Sequence, residues 1–192
     1  MDRDQEIQLI TRAQQGEVEA FMTLVKEYER PIYQLIYRLT RNREDAADLT
    51  QETMLKAFAA LKNFKLKSSF HTWIHRIAVN LTLNHLKRNK GLESRTEYLD
   101  GSQNNELALE RFPSPEESSM DEELSQKLEK AIEELPPIYK TAFTLVVFQG
   151  LTHSQAAAVL GCSESTISWK IHEARKMLKE KLKAYLGFMK EV

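Results

Sequence analysis

The chain has 192 residues, 42% of them hydrophobic, with 27 Lys+Arg, 28 Asp+Glu and a single cysteine, so it makes one ordinary domain or two small ones and carries no disulfide framework or Cys-rich zinc module. No run approaches the ~18 consecutive apolar residues of a membrane span, and the first residues lack the basic-then-apolar order of a secretion signal, so a reducing cytoplasm is the expected setting. The net charge of −1 hides a segregation: residues 62–90 carry 7 basic and no acidic side chains, residues 91–123 carry 2 basic and 10 acidic, and such blocks suggest a polyanion-binding surface beside a tethered acidic segment.

Abundant Leu, Ala, Glu, Lys and Gln with only 6 Gly and 5 Pro predict helices throughout. The first helix is expected over about residues 4–15, ending at Gly16, and a short second one over about 17–29. Pro31 suits the first turn of a new helix with the apolar stripe Ile32, Leu35, Ile36 and Leu39. Asn42 is placed to cap a helix running to Leu61, with Glu44 and Asp45 at its positive end and Ala46, Leu49, Thr53, Ala57 and Leu61 as its buried face. A basic loop, Phe64–Ser69, leads to a helix from Phe70 to about Lys90. Its inner stripe is Phe70, Ile74, Ile77, Ala78 and Leu81, and its opposite stripe is Arg76, Asn80, Asn84 and Lys87. His71, His75 and His85 have no Cys or carboxylate companions at ligand spacing and are expected on polar faces rather than on a metal.

Residues 93–118 read as a flexible acidic linker, too polar and too charged to repay the entropy of folding. Beyond it, Ser119-x-x-Glu122 has the pattern of a capping box. Pro136-Pro137 separates that helix from one with the stripe Ile138, Ala142, Phe143 and Val146, ending at Gly150. Thr152-x-x-Gln155 opens a short helix to Leu160, Gly161 turns the chain, and Ser163 caps a long helix carrying Ile167, Ile171, Ala174, Leu178 and Leu182. Ala157, Gly161 and Ile167 sit where a helix-turn-helix needs a small crossing residue, a positive-φ turn and a packing residue. A plain helical hairpin has the same spacing, but six basic residues against two acidic ones over 170–183 favour DNA. The second helix would then lie in the major groove, with Ser165, Thr166, Ser168, Trp169, Lys170 and His172 at base edges and Arg175 and Lys176 near phosphates.

Three runs now make a specific resemblance. Asp45-Ala-Ala-Asp48-Leu-Thr-Gln51-Glu52-Thr-Met-Leu-Lys-Ala57-Phe58, Phe70-His-Thr72-Trp73-Ile74-His-Arg76-Ile77-Ala78-Val-Asn80, and Leu135-Pro136-Pro137-Ile-Tyr139-Lys140 followed by the helix-turn-helix resemble, in that order, regions 2 and 4 of bacterial RNA polymerase sigma factors of the compact extracytoplasmic-function (ECF) group in the sigma-70 family. The resemblance implies an all-α fold of two small helical domains joined by the acidic linker, the C-terminal one holding the helix-turn-helix. Residues 1–92 would be region 2 and 119–192 region 4.

It further implies a transcription initiation factor that takes core polymerase to specific promoters and helps melt them. Asp48, Gln51, Glu52 and Leu55 would meet the clamp helices of the largest polymerase subunit, a role that suits an apolar centre on a polar face. Phe64, Lys65, Lys67, Ser68, Ser69, Trp73, Arg76, Asn80, Lys87 and Arg88 would handle the minus-ten element, including capture of a flipped base. For Trp73, core packing and stacking on DNA both stay open. Ser165, Thr166, Ser168, Trp169, Lys170, His172, Arg175 and Lys176 would read the minus-thirty-five element, while region 4 also meets the flap of the second-largest subunit. The chain departs from the family pattern at Ser168, Trp169 and Glu173 in the recognition helix. An anti-sigma factor is an expected partner; no cofactor, metal, stable membrane contact or enzymatic activity is expected, since no phosphate loop, ligand cluster or nucleophile–base pattern is present. Two rival readings are a sigma-mimicking decoy for an anti-sigma factor and an operator-binding regulator, although no dimerisation seam is visible.

Overall fold

The computed structural model describes residues 2–93 and 119–188, with side chains described over 2–89 and 124–183; the acidic linker beyond Glu93 and the side chains of Ser119 and Glu122, where a capping box is expected, lie outside what it describes. Within those residues every regular element is helical. The N-terminal half is built from α1 (Arg3–Gln14), α2 (Val18–Thr40), α3 (Arg43–Leu61) and α4 (Phe70–Glu93). Asp2 caps α1 through bonds from the Asp4 and Gln5 amides at 2.7 and 3.1 Å, and Asn42 caps α3 from Glu44 and Asp45 at 2.9 and 3.0 Å.

Where a break was expected at Pro31, α2 runs straight through it. Pro31 has no N–H for the preceding turn, a loss of about 3 kcal/mol in a helix interior. The stripe Phe21, Leu24, Tyr28, Ile32, Leu35, Ile36 and Leu39 is continuous across it and fully buried, and at about 1.5–3 kcal/mol per large side chain that burial outweighs the proline. The predicted inner face of α3 (Ala46, Leu49, Thr53, Ala57, Leu61) is buried throughout.

The C-terminal half comprises α5 (Ser119–Glu133), α6 (Pro137–Phe143), a π-helical turn (Thr144–Phe148), α7 (His153–Leu160) and α8 (Glu164–Phe188). The wide turn alters the expected stripe: Ala142 and Phe143 are buried, Val146 is half-buried, and Ile138, at the helix start, is 54% exposed. Thr152 and Gln155 form the reciprocal capping box at 3.1 and 2.9 Å. Gly161 takes φ 64° and ψ 38°, the left-handed cap that lets α8 leave at an angle. Ile167, Ile171, Ala174 and Leu178 hold α8 against α6 and α7.

The two halves pack on each other, α4 against α7 and α2 against α6 and the π turn. This explains a correction on α4. Phe70, Ile74 and Ala78 are buried, Ile77 and Leu81 only partly, and His75, Val79 and Thr82 form a second buried stripe roughly 100° round the helix. His75, expected on a polar face, is fully buried where its Nε2 meets Gln149 Oε1 at 3.2 Å, and its Nδ1 bonds the His71 carbonyl at 2.7 Å. His71 is half-buried, and His85 pairs with Asp45 at 3.0 Å. Two more bridges cross the junction: the Arg38 guanidinium lies 3.7 Å from the centre of the Phe148 ring, and Arg41 pairs with Glu133.

Candidate functional site

Three exposed surfaces collect the residues singled out from sequence. The first lies on α3, on the side away from its buried stripe. Asp48, Gln51 and Glu52 are exposed there, Glu52 holding Lys56 at 2.9 Å, and Leu55 is 63% exposed. Sequence reasoning missed its apolar extension: Phe58 is exposed beside Leu55, its ring 4.9 Å from Phe21, and on α2 exposed Val18 stands about one turn before Phe21 and exposed Met22 directly after it. The signal was present, since Phe58 falls outside the stripe 46-49-53-57-61 and so has no core to enter. An apolar centre ringed by two acids and an amide is the composition of a protein-docking surface.

The second surface is the α3–α4 loop with the outer face of α4. Lys65, Lys67, Ser68 and Ser69 are exposed in the loop, and Arg76, Asn80, Asn84, Lys87 and Arg88 along the helix, with no carboxylate among them. All five helix residues stay open to solvent even with the two halves packed together. Phe64 is placed differently from expectation: it is buried, tilted 4.8 Å from Trp73 and edge-on 6.0 Å from Phe70. Trp73 is half-buried in the same cluster, 5.3 Å from Phe70. Both rings therefore hold the loop's root, and the exposed tip is left to Lys65, Leu66, Lys67 and Ser68. Leu66 sits at φ 54°, a left-handed conformation that disfavours a side chain and marks a backbone held by its surroundings. Ser69 ends the loop by capping α4, accepting from the Thr72 amide at 3.1 Å.

The third surface is the exposed side of α8, the second helix of the helix-turn-helix. Ser165, Ser168, Trp169, His172, Arg175 and Lys176 are exposed on one side, and Trp169 is 52% exposed with its ring 5.8 Å from Tyr139. Thr166 is half-buried and hydrogen-bonded to the Ser163 hydroxyl at 2.7 Å, so it serves the helix start. Ser168 donates to the Glu164 carbonyl at 3.1 Å and meets His153 Nδ1 at 2.9 Å, which ties α8 to α7. Lys170 is buried between Ile167 and Ile171 on the core side, away from the exposed row. A lysine's long apolar stem can lie along the core, so a position near the start of the helix does not by itself put Lys170 on the exposed row.

Charge at the junction is strained by burial. Lys140 in α6 is pulled down to about 8 by desolvation, with Arg41 adding to the effect. Arg38 is lowered by desolvation first, Glu129 opposing and Arg41 reinforcing it. His71 is lowered to about 4 by burial and by His75, and His75 is itself lowered by burial. Among the described residues, no group of three or more His, Cys, Asp or Glu is placed to hold a metal, and no helix is long and apolar enough to cross a membrane.

Comparison with known proteins gives the same assignment. The family model of Sigma-70 region 2 matches residues 24–91 and that of Sigma-70 region 4 matches residues 125–178. The RNA polymerase sigma-H factor of Pseudomonas aeruginosa is 33% identical over 97% of this chain and 98% of its own length. The ECF RNA polymerase sigma-E factor of Escherichia coli K12 is 34% identical over 91% of this chain and 92% of its own. Among solved structures, CnrH in complex with the cytosolic domain of CnrY aligns with a TM-score of 0.68 at 24% identity, covering 94% of this chain and 99% of that one, so the fold is shared. With two family models in order and relatives matched end to end, the chain belongs to the ECF group of the sigma-70 family of RNA polymerase sigma factors.

Proposed function

We propose that this sigma factor acts as the promoter-specificity subunit of bacterial RNA polymerase, using its three surfaces in separate roles. The face of Asp48, Gln51, Glu52 and Leu55, widened by Phe58, Met22 and Val18, docks on the clamp helices of the largest subunit. The loop tip Lys65–Ser68 takes a flipped non-template base of the minus-ten element, while Arg76, Asn80, Lys87 and Arg88 neutralise phosphates beside it. Ser165, Trp169, His172, Arg175 and Lys176 engage the minus-thirty-five element, with Ser168 and Thr166 shaping the helix start and region 4 meeting the polymerase flap. The protein performs no chemistry of its own in this reading and works in the cytoplasm. The observation that carries the DNA role is the carboxylate-free polar face of α4 beside a basic loop, left open by a fold that buries the helix's other sides.

The packed arrangement also calls for a conformational change. The two promoter elements lie ~25 base pairs apart, or ~85 Å at ~3.4 Å per pair. A compact body of this chain length has a radius of gyration of ~16 Å and a breadth of ~40 Å. One closed molecule therefore cannot occupy both elements, and the halves separate when core polymerase binds. An anti-sigma factor is the other expected partner: the fold neighbour RpoE of Bartonella quintana was solved with the anti-sigma factor NepR, aligning here with a TM-score of 0.67 at 23% identity.

Gel filtration with bacterial core RNA polymerase tests the docking role. The protein is expected to co-elute with core, and Asp48→Arg/Gln51→Ala to abolish co-elution while remaining folded. Failure of the parent protein to co-elute, or co-elution of the double variant, overturns it.

A further inference from the structure

We infer that Gln14, at the end of α1, is a positioning residue for the promoter-melting loop; this rests on the minus-ten role proposed for that loop. Its side-chain amide nitrogen donates to the Leu61 carbonyl at 3.0 Å and to the Phe64 carbonyl at 2.7 Å. A carboxamide has two N–H groups, and both are spent here. Leu61 is the last residue of α3, where helix carbonyls run out of intrahelical partners. No left-handed cap closes this end; Lys62 is right-handed (φ −55°, ψ −29°), and the turn is completed by the Phe64 amide donating to the Leu61 carbonyl at 2.9 Å. The second bond to Gln14 lies beyond the helix, on the residue from which the basic tip departs.

The loop is therefore fastened from three sides. Gln14 holds the backbone at 61 and 64, the Phe64 ring is wedged against Phe70 and Trp73, and Ser69 caps α4 at the far end. Between these anchors Lys65, Leu66, Lys67 and Ser68 are exposed, with Leu66 at positive φ. A pocket whose backbone is already set captures a flipped base more tightly, because ordering the loop on binding would consume part of the affinity.

A general staple of α1 to the domain is the plainer account of Gln14. It is weakened by what else holds α1: Ile10 and Ala13 are buried, and Tyr28 bonds Glu6. Gln14 also lies before residue 24, where the region 2 family model begins, so this anchor comes from outside the matched segment.

The test uses holoenzyme assembled from the full chain and core polymerase, with a promoter fragment selected by that holoenzyme and opened by mismatches across its minus-ten segment. Gln14→Glu keeps the shape but sets acceptor oxygens against two carbonyls; Gln14→Lys returns donors. Gln14→Glu is expected to weaken binding to the opened promoter roughly tenfold and to speed amide hydrogen exchange at Asn63 and Phe64, whose amides close the turn at the root of the loop, by a similar factor. Core affinity should stay at the parent value, the thermal midpoint should fall by only about 3–5 °C, and Gln14→Lys should recover much of the loss. Unchanged exchange, unchanged promoter binding, or a parallel fall in core affinity and thermal midpoint overturns the inference. Lys65→Ala/Lys67→Ala separates the two levels of argument. If that control also leaves promoter binding unaltered, the minus-ten role of the loop fails and takes the inference with it; if the control weakens binding and Gln14→Glu does not, only the role of Gln14 falls.

Discussion

Replacing Phe148 with alanine should raise the affinity for core polymerase. The ring carries the Arg38 guanidinium at 3.7 Å, across the contact between the two halves. A partly desolvated cation–π pair contributes about 1–2 kcal/mol. Phe148 is 38% exposed and also packs edge-on to Phe143 at 6.0 Å, so only part of its burial belongs to the junction and adds about 0.5–1 kcal/mol. Together the substitution weakens closure by about 2 kcal/mol, a ~30-fold change in the closed-to-open ratio. If the docking-competent form is the open one, the apparent dissociation constant for core falls by up to that factor, until the open form dominates. Fluorescent labels at exposed Gln8 and Lys179, placed through cysteines in a Cys162→Ser background, report the separation, and a titration with core reports the affinity. Arg38→Met removes the charge from the other side and keeps most of the stem, which guards against local damage to the π turn. Both variants should shift in the same direction. Unchanged separation and unchanged core affinity in two folded variants would refute the claim that closure competes with docking.

Stability should fall in mild acid. His71 is lowered to about 4 and His75 is lowered too, so between their unfolded value near 6.5 and pH 4 the unfolded chain binds more protons than the folded one. The contribution of these neutral rings is complete above pH 6.5 and is lost as pH drops toward 4, by about 1–2 kcal/mol for His71 once its partial exposure is allowed for. Thermal melts at pH 7 and pH 5 should show this, with a smaller difference in His71→Phe; an equal difference in both proteins would contradict it. Leu55→Glu should weaken core binding about tenfold and leave the thermal midpoint in place, because the side chain is 63% exposed and enters an apolar contact only on docking. A drop in midpoint by differential scanning fluorimetry without a loss of core affinity would contradict that assignment. Gly161→Ala should lower the midpoint by about 2–4 °C: no atom lies within 4 Å of the added methyl, so the penalty is the positive φ alone, about 1 kcal/mol. An unchanged midpoint would show that the turn relaxes freely.

Local signals in the sequence carried most of the architecture. Asn42, Thr152-Gln155 and Gly161 each act within one turn, and the stripes of α3 and α8 follow one helical period, so both were readable without knowledge of neighbours. What escaped depends on contacts distant in sequence. Pro31 reads as a helix start until the core beneath both flanks is known. His75, Val79 and Thr82 look like an ordinary mixed face because the α7 side that covers them lies some 75 residues away. Phe64 and Lys170 hold positions that the family resemblance and the helix-turn-helix geometry give to DNA, whereas packing turns one ring and one aliphatic stem inward. Gln14 gave no signal at all, since an amide at a helix end is common and its partners are 47 and 50 residues on.

The central claim is that this chain gives core polymerase a promoter preference. The most direct measurement is transcription by core polymerase, with and without the protein, from a library of DNA with randomised upstream sequence. Templates transcribed only in its presence should share two sequence blocks at a fixed spacing, and Arg175→Ala/Lys176→Ala should erode use of the upstream block while the downstream one persists. Transcription no higher than with core alone, or transcribed templates with no shared blocks, would contradict the account.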